Sequence, residues 1–193
     1  MNDKGMIRAY LEAVGGLAPQ DIDALLACAK PVHLKKYEYL IQIGEKAERI
    51  GFVLNGILRS YYYADNADEI TYCMLFPESF VSAYSSLITG KPTEECIQAI
   101  TDVELLTISK GDLYRLAEGN IRVINFMRIM AERAYVEQEE RIFRLQRSSA
   151  QERYNKLLAE QPDYLQQIPL RYLASYLGVT QRHLSRIRSQ LTK

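Results

Sequence analysis

The chain has 193 residues, of which 48% are hydrophobic and 25% are charged, and its 24 Lys and Arg balance its 24 Asp and Glu. These values are typical of a folded globular protein, and they exclude a collagen-like repeat or a chain that is disordered throughout. No run of about 18 apolar residues occurs, so we expect no membrane-spanning helix. The first residues lack the apolar segment of a secretory signal, which predicts a cytoplasmic protein.

The zero net charge conceals an uneven distribution along the sequence. Residues 1–143 contain 15 Lys and Arg against 21 Asp and Glu, whereas residues 144–193 contain 9 against 3. An acidic body followed by a basic tail of fifty residues is typical of proteins that bind nucleic acid or another anionic surface through the tail. A solvated basic face with no partner is the alternative interpretation.

The N-terminal part alternates between apolar and polar residues after a short predicted helix over residues 19–29. Period-2 alternation, which is typical of strands, covers residues 32–43, 50–54, 57–63, 70–76, 97–100 and 103–108. The dipeptide Asn55-Gly56 predicts a two-residue hairpin between two of these strands, because both turn positions need a positive φ. Short strands at this spacing predict a compact antiparallel barrel or sandwich.

From about residue 113 the pattern becomes helical and continues for roughly seven turns. A helix of this length cannot bury its whole apolar stripe against a small barrel, so we expect part of it to pair with a second copy of the chain. A helix packed entirely within its own chain is the alternative. The expected dimer contact consists of Ile124, Met127, Met130, Ala131 and Ala134.

Two short amphipathic helices separated by a tight turn close the sequence. Leu173 and Leu177 lie on the inner face of the first, Gly178 suits a left-handed turn, and Thr180 stands where a helix N-cap belongs. This arrangement predicts a helix-turn-helix, which binds DNA; an ordinary helical hairpin with a basic surface is the alternative.

The outward face of the second helix carries arginines and small hydroxyl residues. Arginine forms two parallel hydrogen bonds to the guanine edge in the major groove, and serine allows the backbone to approach closely. The expected outward residues are Arg182, Ser185, Arg186 and Ser189. Phosphate contacts are expected from the free N–H groups near Thr180 and from Arg171, Arg188 and Lys193 at the edges.

The order of barrel, long helix and basic helix-turn-helix resembles the Crp/Fnr superfamily of bacterial transcription regulators. The segments YLIQIGEKAERIGFVLNGILRSYY and IPLRYLASYLGVTQRHLSRIRSQL carry the resemblance. It implies an α+β fold with an antiparallel, jelly-roll-like β-roll sensory domain over residues 1–116, a dimerisation helix over 117–147 and a winged-helix-like DNA-binding domain over 148–193. It also implies base contacts from Gln181, Arg182 and Arg186, recognition helices about 34 Å apart on a palindromic operator, and RNA polymerase as a further partner.

The effector site of the family is altered in this sequence. Members that sense cyclic AMP hold its phosphate with a Gly-Glu pair and a later Arg. The matching positions here hold Ser82, Ala83 and Thr93. Loss of the guanidinium and the presence of Glu94 and Glu95 disfavour a buried phosphate, so we expect weak binding of cyclic AMP and cyclic GMP. The remaining candidate pocket residues are Tyr84 and Ser85; the Tyr61, Tyr62, Tyr63 and Tyr72 cluster either lines an aromatic pocket or simply packs.

We expect no metal, haem or iron–sulfur cofactor. The only cysteine near the N-terminus is Cys28, and His33 and Cys73 have no supporting pattern for haem ligation. No nucleophile elbow, phosphate loop or His-centred triad is present, so enzymatic activity is not expected.

The sequence therefore predicts a homodimeric regulator that binds specific DNA sequences. One alternative is a regulator gated by a small molecule through the altered pocket. The other is a β-roll interaction module whose basic tail binds RNA or protein.

Overall fold

A computed structural model describes residues 3–191, and it begins with two helices, α1 (Asp3–Val14) and α2 (Pro19–Cys28). The pattern over residues 19–29 predicted α2, whereas α1 was not predicted. Apolar residues of both helices, including Ile7, Leu11 and Leu25, pack against Phe52 in one cluster. The two helices therefore cover one side of the β-rich part of the chain.

Eight strands form two antiparallel sheets that pack face to face. The strands are β1 (Lys30–Leu34), β2 (Tyr39–Ile41), β3 (Arg49–Asn55), β4 (Leu58–Tyr63), β5 (Glu69–Leu75), β6 (Phe80–Val81), β7 (Cys96–Ala99) and β8 (Val103–Ser109), and helix α3 (Tyr84–Thr89) lies between β6 and β7. One sheet has the order β1-β8-β3-β6 and the other has the order β2-β7-β4-β5. Val53, Leu58 and Leu105 are at most 1% exposed and belong to a single core cluster. The predicted antiparallel β-roll is confirmed.

The predicted hairpin at Asn55-Gly56 is wrong. Strand β3 pairs with β6 and β8, and β4 pairs with β5 and β7, so this turn carries the chain from one sheet to the other. Gly56 has a φ of 88°, and a Cβ at this position would lie 2.2 Å from the carbonyl oxygen of Asp102. The glycine is needed because another segment approaches closely, and not because the turn is a hairpin.

Two helices follow the sheets, the short α4 (Lys110–Ala117) and the long α5 (Ile121–Arg147). Asn120 caps α5 by accepting hydrogen bonds from the amides of Arg122 and Val123. Asp21 of α2 accepts hydrogen bonds from the side chains of Asn120 and Arg122, and these bonds hold the pKa of Asp21 below its ordinary value. The start of α5 is thereby tied to the N-terminal helices.

The rest of the described chain is helical and consists of α6 (Ala150–Glu160), α7 (Pro162–Leu165), α8 (Leu170–Leu177) and α9 (Gln181–Leu191). Residues 148–191 contain no strand that could form the wing of a winged-helix domain. A capping box between Ser149 and Glu152 begins α6. The predicted boundary between residues 147 and 148 lies at the end of α5, whereas the one between 116 and 117 lies inside α4.

Candidate nucleic-acid interface

The turn between α8 and α9 has the backbone geometry of a tight helix-turn-helix connection. Gly178 adopts a left-handed conformation with a φ of 68° and ends α8. The hydroxyl oxygen of Thr180 accepts a hydrogen bond from the amide of His183 at 3.2 Å, so Thr180 caps α9 as predicted. These two residues fix the direction in which α9 leaves the turn.

Helix α9 contacts its own chain along one narrow stripe. Leu184 and Ile187 are 0% and 4% exposed, and they pack in the same cluster as the apolar face of α8. Most of the polar residues that the sequence assigned to DNA contacts are exposed to solvent; they are Thr180, Gln181, Arg182, Ser185, Arg186 and Ser189. Arg188 is half-buried, and Lys193 lies outside the described residues.

The exposed face of α9 is strongly basic. Between residues 170 and 191 the sequence contains four arginines and neither Asp nor Glu. One of them, Arg171, is exposed on α8, where its guanidinium lies over the ring of Tyr172. A convex helical face with arginine and serine side chains, and without carboxylates that would repel phosphate, is suited to the major groove of DNA.

Helix α8 is anchored to the β-roll, which the sequence did not predict. Its buried residues Tyr172, Leu173 and Ala174 share a core cluster with Met74 of β5 and Phe76. The hydroxyl of Ser175 accepts a hydrogen bond from the amide of Thr71 at 2.8 Å and donates one to the carbonyl oxygen of Glu69 at 3.3 Å. The helix-turn-helix therefore presents α9 outward from a unit that is continuous with the sheet.

The side chain of Arg59 connects the β-roll to α8. It is 1% exposed, and its guanidinium carbon lies 3.9 Å from the ring centre of Tyr61 and 3.6 Å from that of Tyr172. The guanidinium also donates to the side chain of Gln98 at 2.7 Å and to Glu69 at 2.6 Å. A buried cation needs such partners. Leu58 faces the core between the sheets, so Arg59 lies on the opposite face of its sheet, where α8 covers it.

The middle of helix α5 is exposed, between a start that packs on the N-terminal cluster and an end where Arg141 contacts α8. Val123 and Phe126 are its only buried residues, and residues 132–140 are all exposed. Of the residues expected at a dimer contact, Ile124 and Ala134 are exposed, whereas Met127 and Met130 also pack against the N-terminal cluster. Further along, large apolar side chains are at least 39% exposed; they include Tyr135, Val136, Ile142, Phe143 and Leu145. A surface of this kind is typical of a protein–protein contact.

The residues expected at the effector pocket occupy a short segment beside α3. Ala83 and Thr93 are buried, whereas Tyr84, Ser85 and Glu94 are exposed. The hydroxyl of Ser82 donates to the carbonyl oxygen of Arg49 at 3.0 Å. The backbone of Thr93 is hydrogen-bonded to Glu45 and Gly44. The structure shows no guanidinium hydrogen-bonded to the described residues of this segment.

A half-buried carboxyl group, that of Glu95, lies close to this segment. Glu95 accepts a short hydrogen bond from the hydroxyl of Tyr72. Burial raises the pKa of Glu95 above its ordinary value, and burial together with the charge of Glu95 raises the pKa of Tyr72. Within the tyrosine cluster, Tyr61 is fully buried, whereas Tyr62 and Tyr63 are exposed. These tyrosines therefore do not line one common pocket.

The described part of the chain, residues 3–191, contains no group of three or more His, Cys, Asp or Glu side chains that could hold a metal ion. It also contains no helix that is both long and apolar enough to cross a membrane.

Comparison with known proteins identifies the fold. Residues 31–120 match the family model described as the cyclic nucleotide-binding domain. No curated protein sequence matches the chain. FixK2 from Bradyrhizobium japonicum is similar in structure, with a TM-score of 0.75 and 23% identity over 85% of this chain and 84% of that one.

Two other solved structures extend the similarity. A protein from Eubacterium rectale assigned to the Crp/Fnr family of transcriptional regulators has a TM-score of 0.72 and 18% identity, over 95% of this chain and 88% of that one. The catabolite activator protein of Thermus thermophilus has a TM-score of 0.55 and 24% identity, over 92% of this chain and 84% of that one. The predicted resemblance to Crp/Fnr regulators is confirmed for the fold.

Proposed function

We propose that the chain is a homodimeric transcription regulator that binds a specific, roughly palindromic DNA sequence. The observation that carries the proposal is the exposed basic face of α9, which is free of carboxylates and is held outward by the anchored helix α8. The fold of Crp/Fnr regulators and the similarity to proteins named as regulators support it. The resemblance also predicts RNA polymerase as a partner of this regulator.

Selection of binding sites from random duplex DNA tests the proposal. If α9 reads bases from a dimer, the selected sequences contain a two-fold symmetric motif with half-sites separated by about one helical turn. Uniform binding of all duplexes would contradict sequence-specific recognition and would favour an interaction module with a basic tail. If the protein bound no duplex DNA, both the proposed regulator and a regulator gated by a small molecule would be excluded.

The dimer is proposed from the apolar surface of α5. Replacement of Ala134 by Glu places a charge within the expected contact, so we expect the Ala134→Glu variant to sediment as a monomer. Asn125→Glu is the matched control, because Asn125 is exposed and lies on the opposite side of the helix, nine residues earlier at about 100° per residue. Met130 is less suitable because its side chain also packs within the chain.

We also infer that cyclic AMP and cyclic GMP are not tight ligands. Thr93, which stands at the position of the family's phosphate-binding arginine, is buried and hydrogen-bonded to its own segment. The carboxyl groups of Glu94 and Glu95 follow it directly and would repel a phosphate. Calorimetric titration with each nucleotide tests this inference, and a sub-micromolar Kd for either one would contradict it.

A further inference from the structure

A small basic cleft lies where α5, α6 and α8 meet, away from the exposed face of α9. Its volume is about 40 Å³, and four cationic side chains line it: Arg141, Arg144, Arg153 and Lys156. Glu160 is the one acidic residue among the described residues of its lining. The formal charge of the lining is therefore +3, concentrated around a space that is suited to a compact group.

Carboxylates do not neutralise the three arginines. Lys156 pairs with Glu160 at 3.5 Å. Among the ion pairs formed within residues 3–191, by contrast, none involves Arg141, Arg144 or Arg153. The cleft thus holds three guanidinium groups that lack a counter-charge in the described part of the chain.

Two of these guanidinium groups are held in place by backbone carbonyls at the end of α8. Arg141 donates to the carbonyl oxygen of Tyr176 at 3.0 Å and lies 4.1 Å from the centre of its ring. Arg153 donates twice to the carbonyl oxygen of Leu177, at 3.0 and 2.8 Å, and its third guanidinium nitrogen donates to the carbonyl oxygen of Ser148. The carbonyls orient the guanidinium groups but supply no formal negative charge, so the positive charge is fixed in position and remains uncompensated.

The environment of Arg141 shows the electrostatic cost of this arrangement. Burial lowers the pKa of Arg141; interactions with Tyr176 and Cys73 oppose this shift, and the neighbouring charge of Arg144 adds a smaller lowering. The positive charges of the cleft therefore destabilise one another. A bound anion would relieve this repulsion, and planar guanidinium groups form paired hydrogen bonds with the oxygens of a phosphate.

We propose that this cleft binds a phosphate group, held by Arg141 and Arg144 of α5 together with Arg153 and Lys156 of α6. The group comes either from a free anion or from the DNA backbone. Because its ligands lie on two helices and its floor is formed by α8, a bound phosphate ties α5 to the helix-turn-helix. The effect on DNA binding rests on the proposed function, whereas phosphate binding by the free protein does not.

Thermal unfolding of the full chain in sodium phosphate, compared with sodium chloride at equal ionic strength, tests the free-anion source. We expect phosphate to raise the Tm of the wild-type protein, since a ligand that binds only the native state stabilises it. Arg144→Gln should bind phosphate about tenfold more weakly, because a charge-assisted hydrogen bond is lost. Lys156→Gln, at an exposed residue, is a second variant that leaves the packing intact.

Arg147→Gln is the matched control for the loss of one positive charge on α5. Arg147 is exposed, lies one turn after Arg144 and is placed over the ring of Phe143, outside the cleft. We expect this variant to keep the phosphate response of the wild-type protein.

Binding to random-sequence duplex DNA at increasing salt concentration tests the backbone source. If the DNA supplies the phosphate, free phosphate leaves the Tm unchanged. In the DNA experiment, Arg144→Gln then lowers the slope of log affinity against log salt by about 0.9, whereas Arg147→Gln leaves this slope unchanged. If Arg144→Gln and Arg147→Gln behave alike in both experiments, the proposal is overturned, and Arg141 and Arg153 serve only to cap the end of α8. A missing operator motif would contradict the proposed function but would leave the phosphate experiment unaffected.

Discussion

Helices α8 and α9 have similar amphipathic sequences without acidic residues, yet they lie in very different surroundings. Tyr172, Leu173, Ala174 and Leu177 of α8 are all buried, and the helix is also hydrogen-bonded to β5 through Ser175. Helix α9 is held mainly by Leu184 and Ile187. The comparison shows a division of roles, in which α8 fixes the position of the unit and α9 keeps its polar face available to a partner.

The largest expected difference between the two helices is in stability. Replacement of the fully buried Leu173 by Ala should lower the free energy of unfolding by about 2–5 kcal/mol, because it leaves a cavity in the cluster shared with the β-roll. Replacement of the exposed Ser189 by Ala in α9 should change it by no more than about 0.5 kcal/mol. Urea denaturation measures both, and equal effects would contradict the division of roles.

The next effect concerns the link from the β-roll to α8. Arg59→Met keeps much of the side-chain volume but removes the hydrogen bonds to Gln98 and Glu69 and the contact of the cation with two tyrosine rings. We expect a loss of about 1–3 kcal/mol in the free energy of unfolding. Amide hydrogen exchange in α8 should be faster in this variant than in the wild-type protein, whereas exchange in the N-terminal helices should change less. Unchanged protection of α8 would show that Arg59 does not anchor it.

The functional difference between the helices is sharpest for two arginines. Arg186→Ala on α9 should weaken binding to the preferred operator by about 1–3 kcal/mol and relax the preference at one base pair. Arg171→Ala on α8 should weaken binding to all sequences alike and lower the salt dependence. Binding measurements on the operator and on single-base variants of it distinguish these results. A uniform loss with Arg186→Ala would exclude a base contact from this residue.

The smallest expected effect is at the turn that joins the helices. Thr180→Ala removes the oxygen that accepts the amide hydrogen of His183, so stability should fall by about 1 kcal/mol. Thr180→Ser keeps the cap and serves as the control. A loss of DNA affinity much larger than the loss of stability would indicate that Thr180 also contacts the DNA.

The sequence predicted those features that depend on local periodicity and on capping. Period-2 alternation located most strands, and the Gly178 turn followed by the Thr180 cap located the helix-turn-helix, because both signals lie within a few residues. The length of α5 and its stripe of apolar residues predicted a surface that its own chain does not cover. Local signals are therefore enough to predict which residues of α9 face away from the chain.

Features that depend on distant segments were missed. Asn55-Gly56 carries a strong hairpin signal, but the close approach of Asp102, nearly fifty residues later, is what requires the glycine. The role of Arg59 depends on Tyr172, more than a hundred residues away, so no local pattern could reveal it. Alternation places Leu58 and Arg59 on opposite faces of β4, but it does not predict that a buried cation will meet an aromatic ring from another part of the chain.

The shared core of α8 and the β-roll has a consequence for protein engineering. Ile57, Met74, Phe76 and Ile100 pack with Leu173, Leu184 and the other apolar residues of the C-terminal helices. An excised fragment that begins at residue 148 would leave that apolar surface uncovered and would not fold autonomously. Transplanting the helix-turn-helix into a different scaffold therefore requires grafting the β-roll residues on which it rests.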